Sequence, residues 1–307
     1  MTETAENQTI EIPDRYKRLG VKIGYAHTPA SKMRMIIEGL PGHGKSQFLM
    51  SIPDLLVLDA DNAANNAVTP RAARVPIRNY GDYEVIRDAL IEDKKNGRSA
   101  FARVGFDTID AFLRVLDEHL CDQITTRKLN TILEFGEKGA GYAKLGAALI
   151  RELRKFDAAG IPWVIASHML VKRTVLSDNT VLTERRCAMA PTIMRMIFPY
   201  ADVKARMFRE VTREPVVTTK KFTGADGKEK TVETRDGGKE TATVHHWLGL
   251  LPDGPKESEE ALKRRIPPVK LGDDGMITVP LTDGWAVFEA EYEKCASAWY
   301  ADQKSQP

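Results

Sequence analysis

No apolar run in the chain approaches the roughly 20 residues that a membrane-spanning helix requires. Cysteine is scarce: Cys121, Cys187 and Cys295 are widely spaced and odd in number within 307 residues. That usage excludes a disulfide framework and a paired-cysteine metal knuckle, and it points to a reducing cytoplasm with buried or incidental thiols. An excess of one charge is also missing. Lys and Arg number 45 against 43 Asp and Glu, a net charge of +2, so local basic patches must decide whether nucleic acid is a partner. The opening "MTETAENQTIEIPD" lacks the basic and apolar regions of a secretory signal. There is no internal repeat. What is present is ordinary globular composition, 42% hydrophobic and 29% charged, enough for one large α/β domain with additions or for two modest domains.

Strand-like and helix-like patterns alternate from Met33 onward. Apolar runs at "MRMIIE", "LLVLDA" (55–60), "FARVGFD" (101–107) and "IPWVIASH" (161–168) read as buried strands, with "ARVPI" (73–77) as a short edge strand. Between them lie helical patterns at 83–97, through "AFLRVLDEHLCDQI", and where Leu145, Leu149, Leu153 and Phe156 share one face. Such alternation predicts a parallel sheet with helices on both faces. After His168, "VKRTVLSDNTVLTERR" reads as a hairpin about Ser177-Asp178-Asn179. "PTIMRMIF" follows as a helix with Pro191 in its first turn, and "ADVKARMFREV" as a strand. Residues 214–247 predict more β-structure, with a Gly-Ala-Asp-Gly turn and a second turn at Gly237-Gly238. "LPDGPKESEEALKRRIPP" reads as a charged linker. The closing helix carries a stripe of Trp285, Phe288, Tyr292, Cys295 and Trp299, a pattern of core packing or of a partner surface. The expected organisation is an arm at 1–32, a core at 33–213 with a projecting basic hairpin at 171–190, and a C-terminal extension at 214–307.

The chemistry concentrates in "IIEGLPGHGKSQF". The spacing Gly39-x-x-x-x-Gly44-Lys45-Ser46 is the P-loop pattern, delivered by a strand and followed by a helix. Its glycines let backbone N–H groups close round an anion at a helix start. The candidate cradle is Gly39, Pro41, Gly42, His43, Gly44, Lys45, Ser46 and Gln47. Lys45 would reach the β- and γ-phosphates of ATP, and the Ser46 hydroxyl would bind Mg²⁺. Asp107 ends the apolar strand in "RVGFDTID" and is the candidate second Mg²⁺ residue, with Thr108 beside it; the alternative is a strand-terminal cap. Asp59 and Asp61 end the preceding strand, on the ligand side of such sheets. Asp61 is the candidate general base, with Asp59 as support. His168 is the candidate sensor of the γ-phosphate, against the alternative of a histidine merely hydrogen-bonded at a strand end.

Taken in order, "GLPGHGKS", "VLDADNA", "VGFDTIDAF" and "VIASH" resemble the RecA-like ATPase core. They are most similar to compact phage-encoded AAA/RecA-core proteins, some of which are single-strand annealing ATPases. The resemblance covers about residues 33–210. It implies an α/β P-loop NTPase core and an Mg²⁺-dependent ATPase acting on single-stranded DNA in recombination or annealing, assembled as a homo-oligomer in the host cytoplasm. Asp61 stands where the family usually has Glu, and the shorter carboxylate implies slow hydrolysis. The segment after His168 occupies the place of a DNA-binding loop and carries Lys172, Arg173, Arg185 and Arg186. These residues suit phosphate contacts, or alternatively a trans arginine finger toward a neighbouring protomer. The hairpin has no aromatic residue for base stacking. Two other classes stay open: a nucleotide-gated protein-assembly module, and a small-molecule kinase.

Overall fold

The computed structural model describes residues 14–18, 28–61, 70–124, 128–175, 181–223, 229–249, 276–280 and 282–305. After a short helix α1 (Asp14–Lys17), strand β1 (Met35–Gly39) leads into α2 (Lys45–Met50). Then follow β2 (Leu55–Asp59), β3 (Ala73–Pro76), α3 (Tyr80–Lys95), β4 (Arg103–Asp107), α4 (Ile109–Asp122) and α5 (Ala140–Ala158). The second half contains β5 (Trp163–Val175), β6 (Val181–Cys187), α6 (Pro191–Ile197), β7 (Val203–Thr223), β8 (Glu229–Gly249), β9 (Met276–Thr278) and α7 (Gly284–Ser305).

The strands form one nine-stranded sheet in the order β3-β2-β4-β5-β1-β7-β8-β9, with β6 joined to β5. From β3 to β7 every pairing is parallel, and the hairpins β5–β6 and β7–β8 are antiparallel. This is the mostly parallel α/β sheet expected from the sequence. β3 lies at the sheet edge, as its short pattern predicts. No helix among the described residues is long and apolar enough to cross a membrane.

The two-residue period of the strands divides their side chains between two cores. Ile36, Leu56, Leu58, Trp163 and Ile165 face α3, α4, α5 and α6, whereas Met35, Ile37, Leu55, Val57, Val164 and Ala166 face α2 and α7. In the second core the C-terminal stripe is packing: Trp285, Phe288 and Tyr292 are fully buried. Phe48 of α2 meets Trp285 and Phe288 edge-on, with centroids 6.1 and 6.3 Å away. The Trp285 backbone N–H donates to Ser51 Oγ at 2.9 Å. Burying an aromatic of this kind contributes about 2–3 kcal/mol. A six-residue helix is marginal alone, so its packing between the sheet and α7 is what holds α2 in place.

The expected second turn at Gly237-Gly238 does not divide β8 into two strands. β8 continues beside β7 on both sides of a bulge, with residues 236–239 standing opposite Val216 between the Pro215–Glu240 and Val217–Arg235 pairs. Partner length explains the difference, because β7 is long enough to pair both halves of β8. A glycine pair and a proline lacking its N–H both tolerate a bulge. β7 also passes through residue 213 without interruption. The turns expected at Ser177-Asp178-Asn179 and at 224–227, and the linker at 251–268, lie outside the described residues.

Candidate nucleotide-binding site

The P-loop links β1 to α2 at the carboxyl end of the parallel sheet, flanked by β5 and β7. In register, Gly39 sits between His168 of β5 and Met207 of β7. A side chain at Gly39 would lie 2.9 Å from the Met207 carbonyl oxygen. Gly44 has φ +92°, a left-handed conformation, and a Cβ there would lie 2.9 Å from His246 Nδ1. Both positions therefore require glycine, one for space and one also for backbone conformation. His43 Nδ1 donates to the Met207 carbonyl at 3.0 Å, and His246 Nδ1 donates to the His43 carbonyl at 3.1 Å. Burial holds the His43 imidazole below its ordinary pKa, reinforced by Lys45, His246 and Arg209 and partly opposed by the Met207 hydrogen bond. The root of the β7–β8 hairpin thus grips the loop.

Lys45 is buried, and its ammonium donates to the carbonyls of Gly39 and Leu40 at 2.9 and 3.1 Å. Burial lowers its pKa, while Asp107, Asp110 and Asp61 pull the other way. Asp107, at the end of β4, is completely buried, and neither carboxylate oxygen has a hydrogen-bond partner of good geometry. Its carboxyl is raised to about 6, first by burial and then by Asp61 and Asp59, against the opposing influence of the nearby Ser46 hydroxyl and Lys45. Asp59 lies directly beside it in register. One Asp59 oxygen pairs with Arg74 at 3.0 Å, and the other is buried without a partner. Asp61 is exposed and accepts from Thr108 Oγ1 at 3.2 Å.

A buried carboxylate with both oxygens unsatisfied, next to a hydroxyl and an ammonium, fits a divalent cation. No group of three or more His, Cys, Asp or Glu residues among the described residues forms a complete metal site. Mg²⁺ takes one or two protein oxygens and completes its shell with phosphates and water. The structure therefore brings Lys45, Ser46, Asp59, Asp61 and Asp107 together. His168 enters at one remove: its backbone N–H donates to Asp110 Oδ2 at 2.7 Å, and its Nδ1 lies 3.5 Å from the same oxygen. The backbones of Lys172, Arg173, Arg185 and Arg186 lie in the β5–β6 ladder, each in one of four consecutive pairs.

Sequence reasoning missed three features. Asp110 was visible as the second acid of "DTID". His246 lies in "TVHHWL", a segment with no local mark of contact with a distant loop. The third is a buried charge group: Glu38 of β1 pairs with Arg206 at 2.8 Å and Lys204 at 3.3 Å, both on β7. Two cations at i and i+2 in an otherwise apolar strand were the available signal.

No curated protein matches the chain in sequence. Among solved structures, a KaiC-like protein from the hyperthermophilic archaea Pyrococcus horikoshii OT3 is similar at 9% identity and a TM-score of 0.36, over 81% of this chain and 90% of that one. Residues 31–231 match an AAA domain family, a span that contains the P-loop, all four aspartates around it and both flanking strands. The chain belongs to that AAA domain family.

Proposed function

We propose that the protein is an Mg²⁺-dependent ATPase, and that it acts on single-stranded DNA in phage-type recombination or strand annealing as a cytoplasmic homo-oligomer. The observation that carries the ATPase reading is Asp107, a buried carboxylate with unsatisfied oxygens beside Ser46 and Lys45. A buried anion of this kind is costly unless a cation compensates it. Ser46 and Asp107 would hold Mg²⁺, which when bound neutralises charge on the β- and γ-phosphate oxygens. The backbone N–H groups of the loop and the Lys45 ammonium bind the phosphates. Asp61, which accepts from Thr108, would take a proton from the attacking water, with Asp59, itself paired to Arg74, as support.

The DNA reading is supported by the route of the chain. β5 leaves the sheet at His168, beside the first residue of the P-loop, and continues straight into the hairpin bearing Lys172, Arg173, Arg185 and Arg186. The assembly-module alternative loses its chief support, since Trp285, Phe288 and Tyr292 are core residues. ATP hydrolysis measured with and without Mg²⁺, single-stranded DNA and duplex DNA tests the proposal. Mg²⁺-dependent turnover that single strands accelerate is the expected result. The absence of turnover overturns the ATPase reading, and turnover indifferent to both nucleic acids overturns the DNA reading. Lys45→Ala should abolish binding of a fluorescent ATP analogue, and equal affinity would remove the cradle assignment.

A further inference from the structure

Asp110 has no part in the phosphate cradle or the candidate Mg²⁺ pair. It belongs to the first turn of α4, three residues after Asp107. An acid there ordinarily complements the helix dipole, but its hydrogen bonds run away from the helix. Oδ2 accepts the His168 backbone N–H at 2.7 Å, and Ser167 Oγ donates to Oδ1 and Oδ2 at 3.3 and 3.2 Å. Ser167 Oγ also lies 3.1 Å from Cys187 Sγ, in the last residue of β6. The Ala188 N–H closes the same corner by donating to the His168 carbonyl at 2.7 Å. One carboxylate therefore joins the start of α4 to the point where β5 passes from its parallel partner β1 to its antiparallel partner β6. Its charge also reaches Lys45 and Cys187.

We propose that Asp110 is a positioning residue for ATP hydrolysis: it clamps Ser167 and His168 beside Gly39, so that the phosphate site and the root of the β5–β6 hairpin move as one body. This inference rests on the ATPase reading. Coupling between sites travels through contiguous polar networks that two ligands can bias, and here the network is two residues deep. Asp110→Asn keeps the side chain's size but removes its charge and one of its two acceptor oxygens.

The experiment measures kcat and KM for ATP, affinity for a fluorescent ATP analogue, and amide hydrogen exchange across residues 167–170 with and without Mg²⁺ and a non-hydrolysable ATP analogue. For Asp110→Asn, kcat should fall about tenfold to a hundredfold, the cost of small misplacements at a reacting centre. KM and analogue affinity should stay within about twofold, because the cradle is intact. Nucleotide should slow exchange at His168 in the wild type and not in the variant. A wild-type kcat in the variant overturns the inference, as does a raised KM with intact kcat, or equal nucleotide protection of His168 in both proteins. If the wild type itself hydrolyses no ATP, the ATPase reading fails and takes this inference with it. If the wild type turns over and the variant matches it, only this inference fails.

Discussion

Asp107→Asn is expected to stabilise the nucleotide-free protein at neutral pH while weakening its Mg²⁺-dependent nucleotide binding. Burial, with Asp61 and Asp59 nearby, raises the Asp107 carboxyl from 3.8 to about 6. A carboxyl held protonated by the fold contributes its full share of stability below the unfolded value. That share is lost as pH rises through about 4 to about 6, and at pH 7 the folded protein carries the whole penalty. A shift of about 2 units at about 1.4 kcal/mol each amounts to about 3 kcal/mol. An amide escapes this penalty because it has no charge to desolvate, and its N–H can donate to a neighbouring carboxylate. For a chain of this size the gain corresponds to about 5 °C or more in Tm. Thermal unfolding of both proteins without nucleotide and in excess chelator, followed from about pH 4.5 to about pH 8, isolates the contribution as a difference. The two should nearly coincide at the acid end and separate to a plateau above about pH 7. Adding Mg²⁺ and ATP should reverse the order, since only the wild type then gains binding energy. A variant equal to or weaker than the wild type at neutral pH, or a difference flat across the range, would refute the reasoning.

Asp61→Asn should bind the ATP analogue normally yet lose at least about a hundredfold in turnover, while Asp61→Glu should hydrolyse faster than the wild type; unchanged turnover in the Asn variant places the base elsewhere. Glu38→Ala removes the carboxylate that Lys204 and Arg206 both contact in the core, at a cost of about 3 kcal/mol read from the denaturant midpoint. Wild-type stability would show that other groups compensate the two cations. Gly44→Ala should abolish analogue binding, because its φ of +92° and the His246 ring both oppose a Cβ; retained affinity would show that the loop adjusts. Replacing Lys172, Arg173, Arg185 and Arg186 together with alanine should flatten the log–log salt dependence of single-stranded DNA binding by about 3 units, at about 0.7 per contact. Persistent DNA binding with collapsed hydrolysis would instead identify trans fingers.

The features legible in the sequence were those written within a few consecutive residues. "GLPGHGKS" contains its own strand, turn and helix start, and Asp107 and Asp61 were readable because each ends an apolar run. The alternation that separates Ile36 from Ile37 between two cores follows from local period alone. Features that depend on which strands become neighbours were not legible. Glu38 is unremarkable until β7 lies parallel to β1 and places Arg206 across from it and Lys204 two positions back, across from Ile36. His246 becomes part of the nucleotide loop only because β8 folds back on β7, which itself borders Gly39. Asp110 had a visible position but an invisible partner, since its bond to His168 joins residues 58 apart in the chain. Gly237-Gly238 misled in the opposite way: a strong local turn signal yielded to a long partner strand.

The β7–β8 hairpin has a mechanical consequence. β7 pairs with β1 only as far as Met207, so residues 208–223 run on beyond the parallel sheet, paired to β8. At about 3.3 Å per residue that overhang spans about 50 Å, longer than the roughly 40 Å breadth of a 200-residue domain. Its pivot is the stretch that touches the P-loop, where Met207 accepts from His43 and His246 donates back. A tilt of about 5° at that pivot, no more than a few tenths of an ångström at the loop, would sweep the far end through about 4 Å, taking the same rise per residue. The ribbon is a lever with its root at the P-loop, and a displacement there the size of a hydrogen-bond adjustment would become one the size of a side chain at its far end.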